Sequence, residues 1–125
     1  MLTTREVCEC SENLTPNTLG LWVKDKIITP TTVGRRGYGK SSLFSNMQAI
    51  GAIVACSVAR TAIICHVGSI TKIFNAFANT PEYELEHEFS LGNTHLVGIY
   101  CNELVLRPYD PDCVDVKSIY DRVKA

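Results

Sequence analysis

Apolar positions along this chain recur with more than one period, and each period predicts an element. Between Thr15 and Pro30, Leu19, Trp22, Val23 and Ile27 are spaced by three, one and four. That is one apolar stripe of a helix with Thr15 as its N-cap, Pro16 at its first position and an end near Lys26. Pro30 stops it. Upstream, Thr3 or Thr4 caps a shorter helix over Arg5 to Ser11, with Val7 and Cys8 inward. Downstream, Leu43, Met47, Ile50 and Val54 keep helical spacing from Ser42 to Cys56. Ser57 is placed to cap a further helix running to about Val67. Ile70, Ile73, Phe74 and Phe77 then make the stripe of another, ending near Asn79-Thr80-Pro81. Phe74 and Phe77 suit either the core of the monomer or a dimer contact.

After Pro81 the texture changes. Glu84 to Leu91 alternates strictly, which predicts a half-buried strand, and Gly92-Asn93 turns the chain. His95 to Cys101 is a second strand, Asn102-Glu103 a tight turn, and Leu104 to Arg107 a third strand ended by Pro108. Asp115 caps a last helix from Val116 to Lys124, with Val116, Ile119, Tyr120 and Val123 on one face. The expectation is an α+β chain, mainly α. Helices fill residues 1–80. A small antiparallel β-meander plus helix fills residues 81–125 and serves dimerisation or the docking of a protein partner by strand addition.

Charge adds an asymmetry that the net value of −1 conceals. Residues 1–40 carry six Lys/Arg against four Asp/Glu, and residues 81–125 carry four against nine. A positive front and an acidic back suit a protein that offers one end to a polyanion. From Met47 to Thr71 the only charge is Arg60. A membrane span there would bury that arginine at a cost of roughly 2.5–3.5 kcal/mol, so two core helices are the expectation. The six cysteines follow no secretory leader, and Cys8, Cys56 and Cys65 have apolar neighbours. Reduced, buried thiols in a cytoplasmic protein are predicted.

The remaining chemistry is concentrated in Gly34-Arg35-Arg36-Gly37-Tyr38-Gly39-Lys40-Ser41, a glycine-hinged basic loop. It satisfies the phosphate-cradling pattern G-x-x-x-x-G-K-[ST]. That motif needs a buried strand before it, and Ile27 to Val33 is interrupted by Pro30. His66, His87, His95, Cys101 and Cys113 lack the spacing of a metal site. Neither a metal, a cofactor nor an enzymatic activity is expected.

Thr3-Thr4-Arg5-Glu6-Val7-Cys8, Leu14-Thr15-Pro16-Asn17-Thr18-Leu19, Trp22, Ile27-Ile28-Thr29-Pro30 and Gly34-Arg35-Arg36-Gly37-Tyr38 together resemble the N-terminal winged helix-turn-helix of the MerR family of bacterial transcription regulators. The resemblance covers Leu2 to roughly Ile64. It implies a reader helix in the major groove, a two-stranded basic wing and two supporting helices. It also implies a homodimer on double-stranded DNA in the bacterial cytoplasm, associated with the nucleoid. Thr15, Asn17, Thr18 and Lys24 would face the bases, and Arg35, Arg36, Tyr38 and Lys40 the backbone. The family's basic and aromatic pair before the tryptophan is replaced here by Gly20 and Leu21, and the turn from Ser11 to Thr15 is one residue longer. Two rival readings are a protein-interaction module built on a winged helix and a P-loop nucleotide-binding protein.

Overall fold

The computed structural model describes residues 1–32, 42–61 and 67–125. Among them are six helices and two small antiparallel sheets, an α+β architecture. The chain opens with a two-residue strand, β1 (Leu2–Thr3), and passes directly into α1 (Thr4–Glu9). Thr3 and Glu6 form a reciprocal capping box that satisfies two orphan N–H groups. The two hydrogen bonds from Thr3 also hold the Glu6 carboxyl below its ordinary value. Helix α2 (Pro16–Lys24) follows, and β1 pairs antiparallel with β2 (Leu43–Phe44), Leu2 opposite Phe44.

Helix α3 (Asn46–Thr61) is the axis of the molecule. Its residues from Ala49 to Cys56 are buried without interruption, as in a helix covered on every side. Helices α4 (Val67–Ala78) and α6 (Val116–Lys124), together with α1, pack around it. The tightest approach is to α4. A Cβ placed on Gly51 would lie 2.9 Å from the Phe77 Cβ and 3.2 Å from the Phe74 carbonyl oxygen. Phe74 and Phe77 are both buried in this contact; of the two roles open to them, the structure assigns the monomer core.

Two boundaries differ from the periodicity. Leu43 and Phe44 are strand, so α3 begins at Asn46, and it then runs through Ser57 without a break. Ser57 does not cap a new helix. Its hydroxyl donates to the Ile53 carbonyl one turn back, a bond that lets serine sit inside a helix. The real N-cap is Ser45, whose Oγ accepts from the Gln48 N–H while Gln48 Oε1 accepts from the Ser45 N–H.

The largest correction concerns Glu84 to Leu91. It is not a strand but lies in helix α5 (Glu82–Ser90). Alternation put Leu85, His87, Phe89 and Leu91 on one side, yet His87 and Leu91 are exposed. The inward residues are Leu85 and Phe89, four apart, which is also one helical face. Glutamates at 82 and 84 favour a helix N-terminus. Gly92, at φ +87°, closes the helix by the Asn93 N–H to Glu88 carbonyl bond, where a strand turn was expected. The hairpin of β3 (His95–Tyr100) and β4 (Glu103–Arg107) forms one residue earlier than expected. Its turn is Cys101-Asn102, both at positive φ. The third strand is β5 (Val114–Asp115), giving the order β4-β3-β5.

Helix α6 begins at the Asp115 cap and buries Val116, Ile119 and Val123 as the pattern requires. Tyr120 donates to Glu86 at 2.6 Å and meets the Phe89 ring edge-on at 5.3 Å, tying α6 to α5. Leu85, Leu96, Val116 and Ile119 belong to the same apolar cluster as Val7, Leu19 and Ile50. None of the helices in the described residues is long and apolar enough to cross a membrane.

Replacing Gly51 with Ala should destabilise the protein by about 1–3 kcal/mol, because the methyl group meets backbone and a Cβ rather than a yielding side-chain tip. Urea unfolding measures this; an unchanged midpoint would show that α3 and α4 separate without cost.

Candidate nucleic-acid interface

The Thr15 hydroxyl accepts from the Thr18 N–H at 3.2 Å and lies 3.1 Å from the Thr18 hydroxyl. Thr15 and Thr18 therefore hold the start of α2 rigid. Leu19 and Trp22 are buried, while Asn17, Gly20, Leu21 and Lys24 are exposed on the opposite face. Their spacing of three, one and three places them within one stripe running from the N-cap to the last turn. Four residues predicted to read bases thus share one helix: Thr15, Asn17 and Lys24 exposed, Thr18 half-buried. The Cβ position of Gly20 has open space around it.

The helix ends before Pro30, and by a different device. Lys26 adopts φ +59°, the Ile27 N–H donates to the Trp22 carbonyl at 2.8 Å, and the Lys26 N–H to that of Val23 at 3.2 Å. This is a Schellman closure with lysine where glycine is usual. Lys26 is therefore off the helical stripe, and Pro30 is buried in the segment beyond.

That segment is held at several points. Thr71 of α4 donates through its hydroxyl to the Ile27 carbonyl at 2.7 Å. Gln48 of α3 accepts from the Thr31 N–H at 3.1 Å and from the Thr31 hydroxyl at 2.8 Å. Its own amide donates to the Thr29 carbonyl at 3.4 Å. Thr32 and Leu43 then exchange two backbone hydrogen bonds of 3.2 and 2.8 Å. Arg35, Arg36, Tyr38 and Lys40 lie outside the described residues. The ends of the stretch that carries them, Thr32 and Leu43, are joined to each other and, through β2, to β1. Gln48 carried no signal in the sequence beyond its place three residues after Ser45, the capping-box spacing.

The chain matches no family model, no curated protein and no solved structure.

The phosphate-cradling alternative requires a helix starting at its Lys-Ser pair. Here Leu43–Phe44 continue as a strand antiparallel to Leu2–Thr3, and helix begins only at Asn46. Among the described residues no group of three or more His, Cys, Asp and Glu side chains is placed to hold a metal ion. His87 and His95 do not face each other across a hairpin, since His87 is on α5. His95 is buried, its Nδ1 2.8 Å from the Thr94 hydroxyl and its ring edge-on to Tyr109. His66 and Cys65 are outside the described residues.

The thiols on α1 and on the facing side of α3 are held less acidic than a free cysteine. Burial and the nearby Cys56 push Cys8 up to about 11, and burial raises Cys10 and Cys56 as well. Cys8 and Cys10 do not act as a pair, because the Cys10 thiol is directed at the Arg122 carbonyl, 3.6 Å away.

Two measurements follow. Gln48→Ala should lower stability by about 1–3 kcal/mol by leaving the Thr31 and Ser45 N–H groups without their acceptor, whereas Gln48→Glu, which keeps that acceptor, should cost less; equal midpoints for the two variants would refute the role of the side-chain oxygen. In alkylation at pH 8, exposed Cys101 should react well before Cys8, as mass mapping would show.

Proposed function

We propose that this chain is a sequence-specific DNA-binding regulator of winged helix-turn-helix type, acting as a homodimer on double-stranded DNA. The reader is α2, laid in the major groove through Asn17 and Lys24, with Thr15 and Thr18 at its leading end. Arg35, Arg36, Tyr38 and Lys40 hold flanking phosphates as a wing. The observation that carries this reading is the exposed stripe, polar at Asn17 and Lys24, on a helix whose exit is fixed next to the paired ends, Thr32 and Leu43, of the arginine-bearing stretch. Thr32 and Leu43 are paired as the base of a wing would be, and β1 adds a third chain to that base.

Physical chemistry supports the division of labour. Asparagine presents a donor and an acceptor together, which suits the N6 and N7 edge of adenine. Arginine pairs bidentately with phosphate and supplies affinity that does not depend on sequence. Residues 1–80 hold the chain's positive excess, and the acidic C-terminal part lies beyond them in sequence. Gly20 and Leu21 in the middle of the stripe contribute no charge, so binding by one subunit is weak and pairing of subunits on a two-fold site supplies the rest.

Selection from random duplexes with the purified chain should recover a sequence with two-fold symmetry. Arg35→Ala with Arg36→Ala should weaken binding on all sequences alike and reduce the slope of log K against log salt by about 2. Asn17→Ala should cost about 1–3 kcal/mol at one base position and relax preference there. Gly20→Arg, for which the structure has room, should tighten binding and steepen the salt dependence. A double arginine variant with unaltered affinity at moderate salt would remove the wing from the reading.

A further inference from the structure

The acidic end of the molecule contains a groove that the DNA reading does not use. It has a volume of about 310 Å³ and lies between α5 and β4. Its apolar lining is half-buried Leu104 and Leu106 over buried Leu85, and Tyr83, 70% exposed, also lines it. Leu104 and Leu106 line it from the face of β4 that looks towards α5, and β4 is an edge strand, paired among the described residues with β3 alone. Among the described residues nothing pairs with that outer edge. The other edge of the sheet, β5, is two residues long and runs straight into α6. Folded proteins usually blunt a long apolar edge with lysine, proline or a bulge. Strand β4 has charged residues at its ends, Glu103 and Arg107, with Pro108 beyond, but its middle, Leu104-Val105-Leu106, has neither lysine nor proline, and the bulge of this hairpin is on β3.

Charge says what would fit there. Glu84, Glu88 and Glu103 line the groove, and no lysine or arginine does. The basic side chains of the same region are committed elsewhere: Arg107 to Asp110 at 3.1 Å, Lys117 to Asp121 at 2.6 Å and Lys124 to Glu82 at 3.4 Å. Glu88 accepts from Asn93, but the carboxylates of Glu84 and Glu103 have no partner among the described residues. An apolar floor, an open strand edge and uncompensated carboxylates on both walls suit a single class of occupant.

We propose that β4 and α5 form a docking groove for an extended basic segment of another protein. The segment adds to the edge of β4 by main-chain hydrogen bonds. It sets alternate apolar side chains on Leu104 and Leu106, and its Lys or Arg residues face Glu84, Glu88 and Glu103. A regulator so built would carry its partner on the side chemically opposite to its DNA-reading end. The groove stands on its own geometry and does not depend on DNA binding.

The test uses the full chain and a fluorescent heptapeptide, Lys-Leu-Lys-Val-Lys-Leu-Lys, with anisotropy as the readout. Controls are the same peptide with Glu for Lys, and one N-methylated at alternate residues. Saturable binding is expected, weakened at least tenfold by N-methylation, by the Glu peptide and by Glu84→Lys with Glu103→Lys. That double variant should keep its unfolding midpoint. Amides of Glu103 to Arg107 should gain protection from hydrogen exchange when the peptide is bound. Absence of binding at millimolar peptide would overturn the proposal. So would a double variant that binds the peptide equally, or an N-methylated peptide as tight as its parent. If the free chain sediments as a dimer that the double variant dissociates, the occupant is a second copy and the proposal is overturned.

Discussion

The structure depends on how closely α3 and α4 can approach. At Gly51 the backbone of one helix reaches the Phe74 and Phe77 turn of the other with no side chain between them. That contact lets two phenylalanines enter the core at one place, and dispersion between close-packed atoms favours it over any looser arrangement. Helix α3, thereby buried on that side, is closed on its other sides by α1 and α6. The sheet joins the same core through Leu96 of β3 and Val114 of β5.

Function-bearing surfaces are held by side chains on this frame rather than by their own packing. Gln48, on the first turn of α3, takes three hydrogen bonds on one oxygen and so sets the path of the chain after α2. Thr71, on α4, fixes the same path from the other side. The direction in which α2 presents Asn17 and Lys24 is thus coupled to the α3–α4 contact. A change that tilts those helices would turn the stripe as a unit, so under the proposed function loss of DNA contact and loss of stability would arise together in core variants and separately in stripe variants.

The C-terminal part repeats this logic with opposite charge. Helix α5 is anchored by Leu85, by Phe89 against Tyr120 and by Glu82, which accepts from both Asn46 and Lys124. Glu86 accepts from Tyr120, and Glu84 and Glu88 are left to line the groove beside β4. The acidity noted along the sequence is therefore divided. Part of it caps and ties helices, and part is presented to solvent where a cationic chain can reach it.

Local chemistry in the sequence was enough for elements that end on their own side chains. Thr3 and Glu6, Thr15 with Pro16, and Asp115 each mark a helix start that needs no distant partner, and α1, α2 and α6 stand where those residues put them. The stripes of α2, α4 and α6 were legible for the same reason, since a helix needs one face to bury. It failed where one pattern satisfied two geometries. Leu85 and Phe89 fit a strand or a helix, and Gly92-Asn93 fits a hairpin or a helix end. Packing against Tyr120 and the pairing of β3 with β5 resolved both, and those partners lie 18 to 31 residues away in sequence. Thr15, Asn17, Thr18 and Lys24, the residues proposed to read bases, could be named from the sequence because they share one short helix. Gln48 as the clamp on the exit of that helix, Gly51 as the point of closest approach, and the groove along β4 could not, because each exists only once separate segments have come together.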